Sequence, residues 1–474
     1  MPVALLWWGV IWMQNVIAEL TLDRKQPRPI YTEYVQADGG IVTLSHKTIT
    51  SVRTFTLHKY NAELRHEWSQ DIFEQTLGEE PLHLAVIENQ IWTFTQRSEG
   101  QKRYIYGYLL STEGKVLFRQ KLLFTVESAS RTSKIELKYA PNRKYACLSF
   151  SVRVASDSAD RIRFFLVGPD TAYAGEWILP YREKELEIRR AIQPSHEGHL
   201  FALGAVKSSE SPYPKYFLFR YVPEANITLS VPLEVENLYL IEPTFRIEKG
   251  GGARIAAFYS LKRGSEQVQG ILFARVESSG FFLSGIQKTP LPTEVLQRFL
   301  SERQIARGRG IPDLYLDHLI PRADGGVLLI GEQFYIVTTT FRDFYGFWYT
   351  QDNYHYEDIV IFAIDSLGNL EWFRIIPKSQ TGTMDTELSY ALLVGGQKIY
   401  FLYRSYTRGM GTQVFLVTLD EKGNLSAPRP FISGFRSSDA FYRKLARQLN
   451  NTEGLIAYTR ERAGQFVLAR IELE

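Results

Sequence analysis

The sequence predicts an all-β chain: a single β-propeller of eight four-stranded antiparallel blades, its ring closed by a strand from the N-terminus. Three observations predict it. Tyr, Phe and Trp make up 14% of the chain, a composition that favours strands. A tight turn between two apolar runs recurs along the 474 residues at a near-regular interval. The last recurrence lacks one strand, and a spare strand lies near the N-terminus. Seven blades with one irregular extra unit is the alternative count.

The first element is the N-terminal segment. No residue from Pro2 to Ala18 is charged, and ALLWWGVIWM is strongly apolar. It falls short of the ~20 residues that a spanning helix needs. Val16 and Ala18 fit the small-residue pattern ahead of a cleavage site, although the n-region has no Lys or Arg. Residues 1–18 are therefore expected as a signal peptide and residues 19–474 as the propeller domain. That reading places the mature chain in the periplasm or outside the cell, without a membrane span.

The turns follow in order. They are ADGG at 37–40, ENQ at 88–90, PNRK at 141–144, SHEG at 195–198, KGGG at 249–252, ADGG at 323–326, VGGQ at 394–397 and NTEG at 451–454. Gly, Asn and Asp dominate because they tolerate the positive φ of tight hairpins. With residues 39, 89, 143, 197, 251, 325, 396 and 453 as landmarks, the intervals are 50, 54, 54, 54, 74, 71 and 57. A period of this size fits one four-stranded blade. In the sixth unit, strands A to D read LYLDHLIPR, GVLLIGEQF, DIVIFAID and NLEWFRIIP. In the seventh they read ELSYALLV, KIYFLYRSY, QVFLVTLD and NLSAPRPFI. IDSLGN, LDEKGN and LSTEGK are then C–D turns, with Gly in the left-handed position. The eighth unit supplies only YRKLARQLN, GLIAYTRE and QFVLARIELE, and AELTLD at 18–23 is the expected fourth strand. Borrowing it removes an open sheet edge.

The segment YEDIVIFAIDSLGNLEWFRIIPKSQ (356–380) carries a resemblance. On it the chain resembles exported bacterial β-propeller proteins, many of them uncharacterised. It also resembles the blades of quinoprotein dehydrogenases, where such a turn precedes Trp. The second likeness would imply a quinone. Here, however, Trp372 is answered by Leu425 in the seventh unit and Val116 in the second. The adjacent cysteine pair that those enzymes often carry is missing, so no cofactor is expected.

Composition and motifs exclude several classes. The net charge of +3 argues against a broad nucleic-acid footprint. A single cysteine, Cys147, excludes an internal disulfide and a multi-cysteine metal site. His196 and His199 flank a turn and read as a plain polar turn, so no metal is expected. GGGAR at 250–254 joins two strands and so lacks the context of a phosphate loop. No serine or cysteine sits in a recognisable nucleophile motif. Asp317 and His318 fall on an innermost strand and are expected to face the central channel, where a ligand could touch them.

Two segments depart from the repeat. At 290–310 Thr293 is expected to cap a helix and Gly308 to stop it. Val295 with Phe299 and Leu296 with Leu300 give it an apolar face; Arg303, Arg307 and Arg309 make its end basic. At 335–357 a long aromatic loop, YIVTTTFRDFYGFWYTQDNYHYE, joins strands B and C of the sixth unit. Phe347, Trp348, Tyr349 and Tyr354 are its candidate ligand contacts. Propeller topology places D–A and B–C connections on one face, so helix and loop are neighbours, and the opposite face is expected to be minimal. Function accumulates on such loops. The expectation is an exported, monomeric, non-enzymatic binding or scaffold protein that recognises a protein or a glycan on this face. The alternative is a carbohydrate-active hydrolase or lyase, with acids drawn from Asp343, Asp352, Glu357 and Asp358.

Overall fold

Eight antiparallel sheets follow one another along the chain, seven with their main strands in sequence order and the eighth completed by the N-terminal strand. The computed structural model describes residues 16–49, 52–74, 78–100, 102–127, 135–152, 159–182, 186–188, 192–207, 211–342, 344–407, 411–432, 435–460 and 464–473. Blade 1 consists of Pro29–Tyr34, Ile41–Ile49, Val52–Tyr60 and His66–Glu74. Blade 2 consists of Glu79–Ile87, Gln90–Glu99, Lys102–Ser111 and Val116–Glu127. Blade 3 runs from Glu136–Tyr139 through Ala146–Val152 and Ala159–Val167 to Ala172–Arg182. Blade 4 has its first strand in two pieces, Leu186–Ile188 and Gln193–Pro194, followed by Leu200–Val206, Lys215–Val222 and Ile227–Leu233. Blade 5 comprises Tyr239–Ile247, Ala253–Ser260, Gly270–Val276 and Leu283–Pro290. Blade 6 comprises Leu314–Pro321, Val327–Arg342, Trp348–Ile364 and Leu370–Ile376. Blade 7 comprises Tyr390–Gly395, Lys398–Thr407, Gly411–Asp420 and Arg429–Pro430. Blade 8 takes Arg447–Asn450, Glu453–Arg460 and Gln465–Glu472 from the C-terminus and Val16–Leu22 from the N-terminus.

The cores make the ring. Each pair of consecutive blades shares one apolar cluster, for example Leu57 with Leu84 and Ile91 between blades 1 and 2. The cycle closes where Leu22, Leu455 and Phe466 of blade 8 meet Ile41 and Tyr60 of blade 1. Sheets twist, and eight twisted sheets packed face to face return to their start. The count is eight blades, not seven.

The closing strand is antiparallel to the C-terminal one, with Ala18 opposite Arg470, Leu20 opposite Leu468 and Leu22 opposite Phe466. It starts two residues earlier than AELTLD, at Val16, which faces Ile471. It runs from the face of the tight turns towards the face of the D–A connections. Leu473, bonded to the Thr452 carbonyl, also lies at the tight-turn face.

The recurrent turns dock neighbouring blades. The Gly423 turn of blade 7 receives Trp372 of blade 6: at φ +79, an added Cβ would lie 2.7 Å from the indole. Arg374 beside it donates to the Gly423 carbonyl at 2.6 Å. Trp68 of blade 1 packs on the Gly114 turn of blade 2 and donates to the Thr112 carbonyl at 3.0 Å. On the A–B turns arginines act alike. Arg254 of blade 5 reaches the Gly326 carbonyl of blade 6 at 2.7 Å. Arg470 of blade 8 reaches the Gly39 and Ala62 carbonyls of blade 1, both at 2.8 Å.

Two strand expectations change. NLSAPRPFI contributes only Arg429–Pro430 to blade 7, because proline has no N–H for the ladder. YRKLARQLN opens with a 3-10 turn at Arg443–Leu445 and is a strand only over Arg447–Asn450.

Candidate binding face

Residues 335–357, expected as a loop, form a β-hairpin arm. Strand B of blade 6 continues to Arg342 and strand C begins at Trp348, in register from Tyr335 opposite His355 to Arg342 opposite Trp348. The sequence supports this. Val337 and Thr338 to Thr340 are β-branched, no Pro or Gly interrupts before Gly346, and Gly346 takes φ +90 at the turn. Cross-strand pairs hold the ribbon. Tyr335 stacks on His355 at 4.7 Å, Thr338 donates to Asp352 at 2.6 Å and Phe341 stacks on Tyr349 at 5.7 Å. The Arg342 guanidinium lies 5.8 Å from the Trp348 ring. From Tyr335 to Arg342 the arm spans roughly 25 Å at the usual rise of a strand. A short strand, Gln380–Gly382, flanks only its root, opposite Tyr354–Tyr356.

The end of the arm is aromatic and exposed. Phe344 is 99% exposed, Tyr345 82%, Trp348 69% and Phe347 65%; Tyr349 is also exposed. Phe344 and Tyr345, which the sequence reading did not single out, are thus the most open. Tyr354 is placed elsewhere: half-buried at the root, it stacks on Phe334. Asp343 lies outside the described residues.

Beneath the root sits a polar cluster that sequence reasoning missed. Lys378 and Glu332 pair at 2.6 Å with side chains 0% and 4% exposed. The Lys378 ammonium also donates to the Tyr356 carbonyl at 3.1 Å and to Gln380 at 3.0 Å, and Glu332 accepts from the Ser389 hydroxyl. Burial pushes the Glu332 carboxyl up and the Lys378 ammonium down, and each partner opposes the other's shift. Tyr356 donates to Asp385, which Arg443 and Lys444 also hold at 3.0 and 2.8 Å. Burial pushes Asp385 up, but Lys444, Tyr356 and Arg443 outweigh it and keep the carboxyl low. No local sequence pattern marks these residues; the ring brings blades 6, 7 and 8 together.

Residues 290–310, expected as one helix, form two short ones, α1 (Thr293–Phe299) and α2 (Glu302–Ala306). Thr293 is the first helical residue rather than the cap. Leu300 is extended, and the side chains of Ser301 and Gln304 form a capping box that starts α2. Val295 is buried in the core between blades 5 and 6. Between α1 and the arm root lies a cleft of about 500 Å³, lined by Arg298, Phe299, Glu357, Asp358 and Lys378 among others. The candidate acids do not face one another as a free pair. Asp358 is buried against Arg298 at 2.5 Å and accepts the Lys378 backbone N–H, while Asp352 is held by Thr338 on the arm. Glu357 lines the cleft.

Asp317 and His318 lie on the innermost strand of blade 6. A register shift between Leu316 and His318 turns both towards the channel, where both are exposed. Tyr390 of blade 7 donates to Asp317 at 3.1 Å, and its ring meets His318 edge-on at 5.9 Å. Water reaches His318 along the channel, yet protein surrounds it. That enclosure, with Lys138 of blade 3, pulls its pKa from 6.5 down to about 4. Protonation then favours the unfolded chain. The His318 contribution is complete above pH about 6.5 and is lost as pH falls towards about 4. The melting temperature is expected to drop across that window, and His318→Gln to shrink the drop; an identical profile for the variant would refute this.

His199 contacts Arg220 at 2.8 Å, so the His196–His199 turn is not a free imidazole pair. Among the described residues, no group of three His, Cys, Asp or Glu side chains could hold a metal ion, and no helix is long and apolar enough to cross a membrane. The tight-turn face is less minimal than expected. A cleft of about 560 Å³ opens there between blades 6 and 7, lined by Trp372, Arg322, Lys398 and Leu419 among others.

No family model and no curated protein matches the chain. Solved structures do. The WD40 domain of SCAP from fission yeast is 7% identical, with 97% of this chain and 94% of that one covered and a TM-score of 0.39. The β-propeller domain of the trilobed protease from Pyrococcus furiosus is 10% identical, with 89% and 98% covered and a TM-score of 0.38. An oligogalacturonate lyase in complex with manganese is 11% identical, with 95% and 98% covered and a TM-score of 0.39. Likenesses at these identities carry no inference about activity. Neither the resemblance to exported bacterial propellers nor that to quinoprotein blades has a counterpart in a family model or a curated relative. The chain is an eight-bladed β-propeller.

Proposed function

We propose that this propeller is an exported binding protein whose arm face recognises a protein or a glycan. The observation that carries the reading is the aromatic end of the arm, open to solvent from Phe344 to Tyr349. Exposed apolar patches of this kind mark interaction sites. Tyr and Trp supply rigid contact area to protein anchors and flat faces for sugar rings. The polar cluster and the flanking strand at the root hold the arm in one direction.

The test compares wild type with Phe344→Ala and Trp348→Ala on arrayed glycans and on proteins copurified from the native source. Each substitution is expected to weaken a shared ligand by about 2 kcal/mol or more. Stability should stay within about 0.5 kcal/mol, since both side chains lie on the surface. Retained binding with lost stability would reverse the assignment.

The second reading, a carbohydrate-active hydrolase or lyase on the same face, rests on the cleft beside α1, where Glu357 is the acid not held by a neighbouring cation. Turnover of a polysaccharide that disappears in Glu357→Gln, with ligand binding kept, would favour it over the first.

A further inference from the structure

We propose that the half of the central channel nearer the tight turns is a binding site for a small molecule bearing carboxylate or phosphate groups, built by Lys138, Arg246 and His318. The site is separate from the arm.

In five blades the first strand ends in a turn bond of this kind: Val35 N–H to the Gly40 carbonyl, Ala140 to Tyr145, Ser195 to His199, Glu248 to Gly252 and Arg322 to Gly326. Residues two positions before these donors stand at one height in the ring and, by the period of a strand, on one face. They are Glu33, Lys138, Gln193, Arg246 and Ile320. His318 is the next residue on that face above Ile320. On an innermost strand the exposed face is the channel face. Lys138, Arg246 and His318 are all exposed, while the neighbours Phe245 and Ile247 are buried between blades.

Charge at this height is unbalanced. Glu33 is already matched by two arginines, Arg143 at 2.8 Å and Arg447 at 3.7 Å. Neither Lys138 nor Arg246 has an ion-pair partner among the described residues. Of the acids on the channel face of blades 3, 5 and 6, Glu136 stands at the height of His318 and Asp317 beside it, one step nearer the arm than Lys138 and Arg246, and Glu242 lies nearer the arm still. Lys138 faces His318 from across the channel and adds to the lowering of its pKa. Arg246 reaches the solvent of the channel yet has protein around it, and that enclosure pulls its pKa down from its usual value. An anion here would gain charge-assisted hydrogen bonds from the cations, and the neutral His318 could donate one N–H.

The experiment is calorimetric titration of the full chain with inorganic phosphate and, separately, with citrate. At least one is expected to bind one-to-one with Kd below about 1 mM. Lys138→Gln and Arg246→Gln should each weaken it about tenfold or more. Both positions are exposed, so melting curves should confirm that the variants are folded. Stronger binding of one probe assigns phosphate or carboxylate as the preferred group. Addition of that probe should also move the His318 imidazole resonance. The proposal is overturned if neither anion binds, or if both variants bind like wild type. Trp348→Ala should bind the anion normally, which separates this site from the arm.

Discussion

Replacing Lys378 by Met is expected to cost about 3–5 kcal/mol of folding stability, the penalty for leaving a buried charge unpaired. Glu332 would keep the Ser389 hydroxyl but lose its cation, in a site where 4% of its side chain reaches solvent. The Tyr356 carbonyl and Gln380 would lose a donor as well. The expectation has a built-in control. Two buried charges cost desolvation that their attraction only partly returns, so an apolar pair of similar volume is often tolerated. Lys378→Met with Glu332→Leu should therefore be more stable than Lys378→Met alone. Denaturant unfolding of the single variants, the double variant and the parent gives the coupling directly. A Lys378→Met variant within about 1 kcal/mol of the parent would show that the root tolerates a lone carboxylate, or that Glu332 takes up a proton at little cost.

The second large effect concerns ring closure. A chain cut to begin at Asp23 loses Leu20 and Leu22 from the core between blades 8 and 1 and exposes the edge of Gln465–Glu472. Truncating one buried Leu to Ala costs about 2–5 kcal/mol, and the whole strand should cost more. A chain beginning at Glu19, at the expected cleavage site, keeps both leucines and gives up only Val16, Ile17 and Ala18. Of these Ile17 is exposed, and Val16 and Ala18 are half-buried. The series 16, 19 and 23 should therefore show a small first step and a large second one in melting temperature. Two equal steps, or none, would mean that the strand does not close the ring.

How much of this was legible follows from the range of each interaction. Turn glycines and alternating strands are local, so the blades and their number could be read from spacing. The borrowed strand was readable because the eighth unit was one strand short. Aromatic density between two strands reads as a loop, and so hides the arm; the β-branched run Val337–Thr340 is the local cue to paired strands. The division at Leu300 was missed for a similar reason. Apolar spacing suggested one helix, while Ser301 and Gln304 already spelled a second cap. Lys378, Glu332 and Asp385 could not be found, because a buried ion pair between distant strands leaves no periodic trace. The same holds for Lys138, Arg246 and His318. Each is an ordinary polar residue on its own strand, and only the ring sets Lys138 and Arg246 level with each other and His318 one step above them.

The direction of the closing strand has one more consequence. Val16 enters blade 8 beside Ile471, on the side of the tight turns, and Leu473 lies on that side too. The arm leaves from the other side. A tag or surface tether fused at either end of the described chain would therefore hold the molecule like a plug on its pins, with Phe344 and Trp348 presented outward. Immobilised this way, every copy offers the same aromatic end to whatever is passed over it.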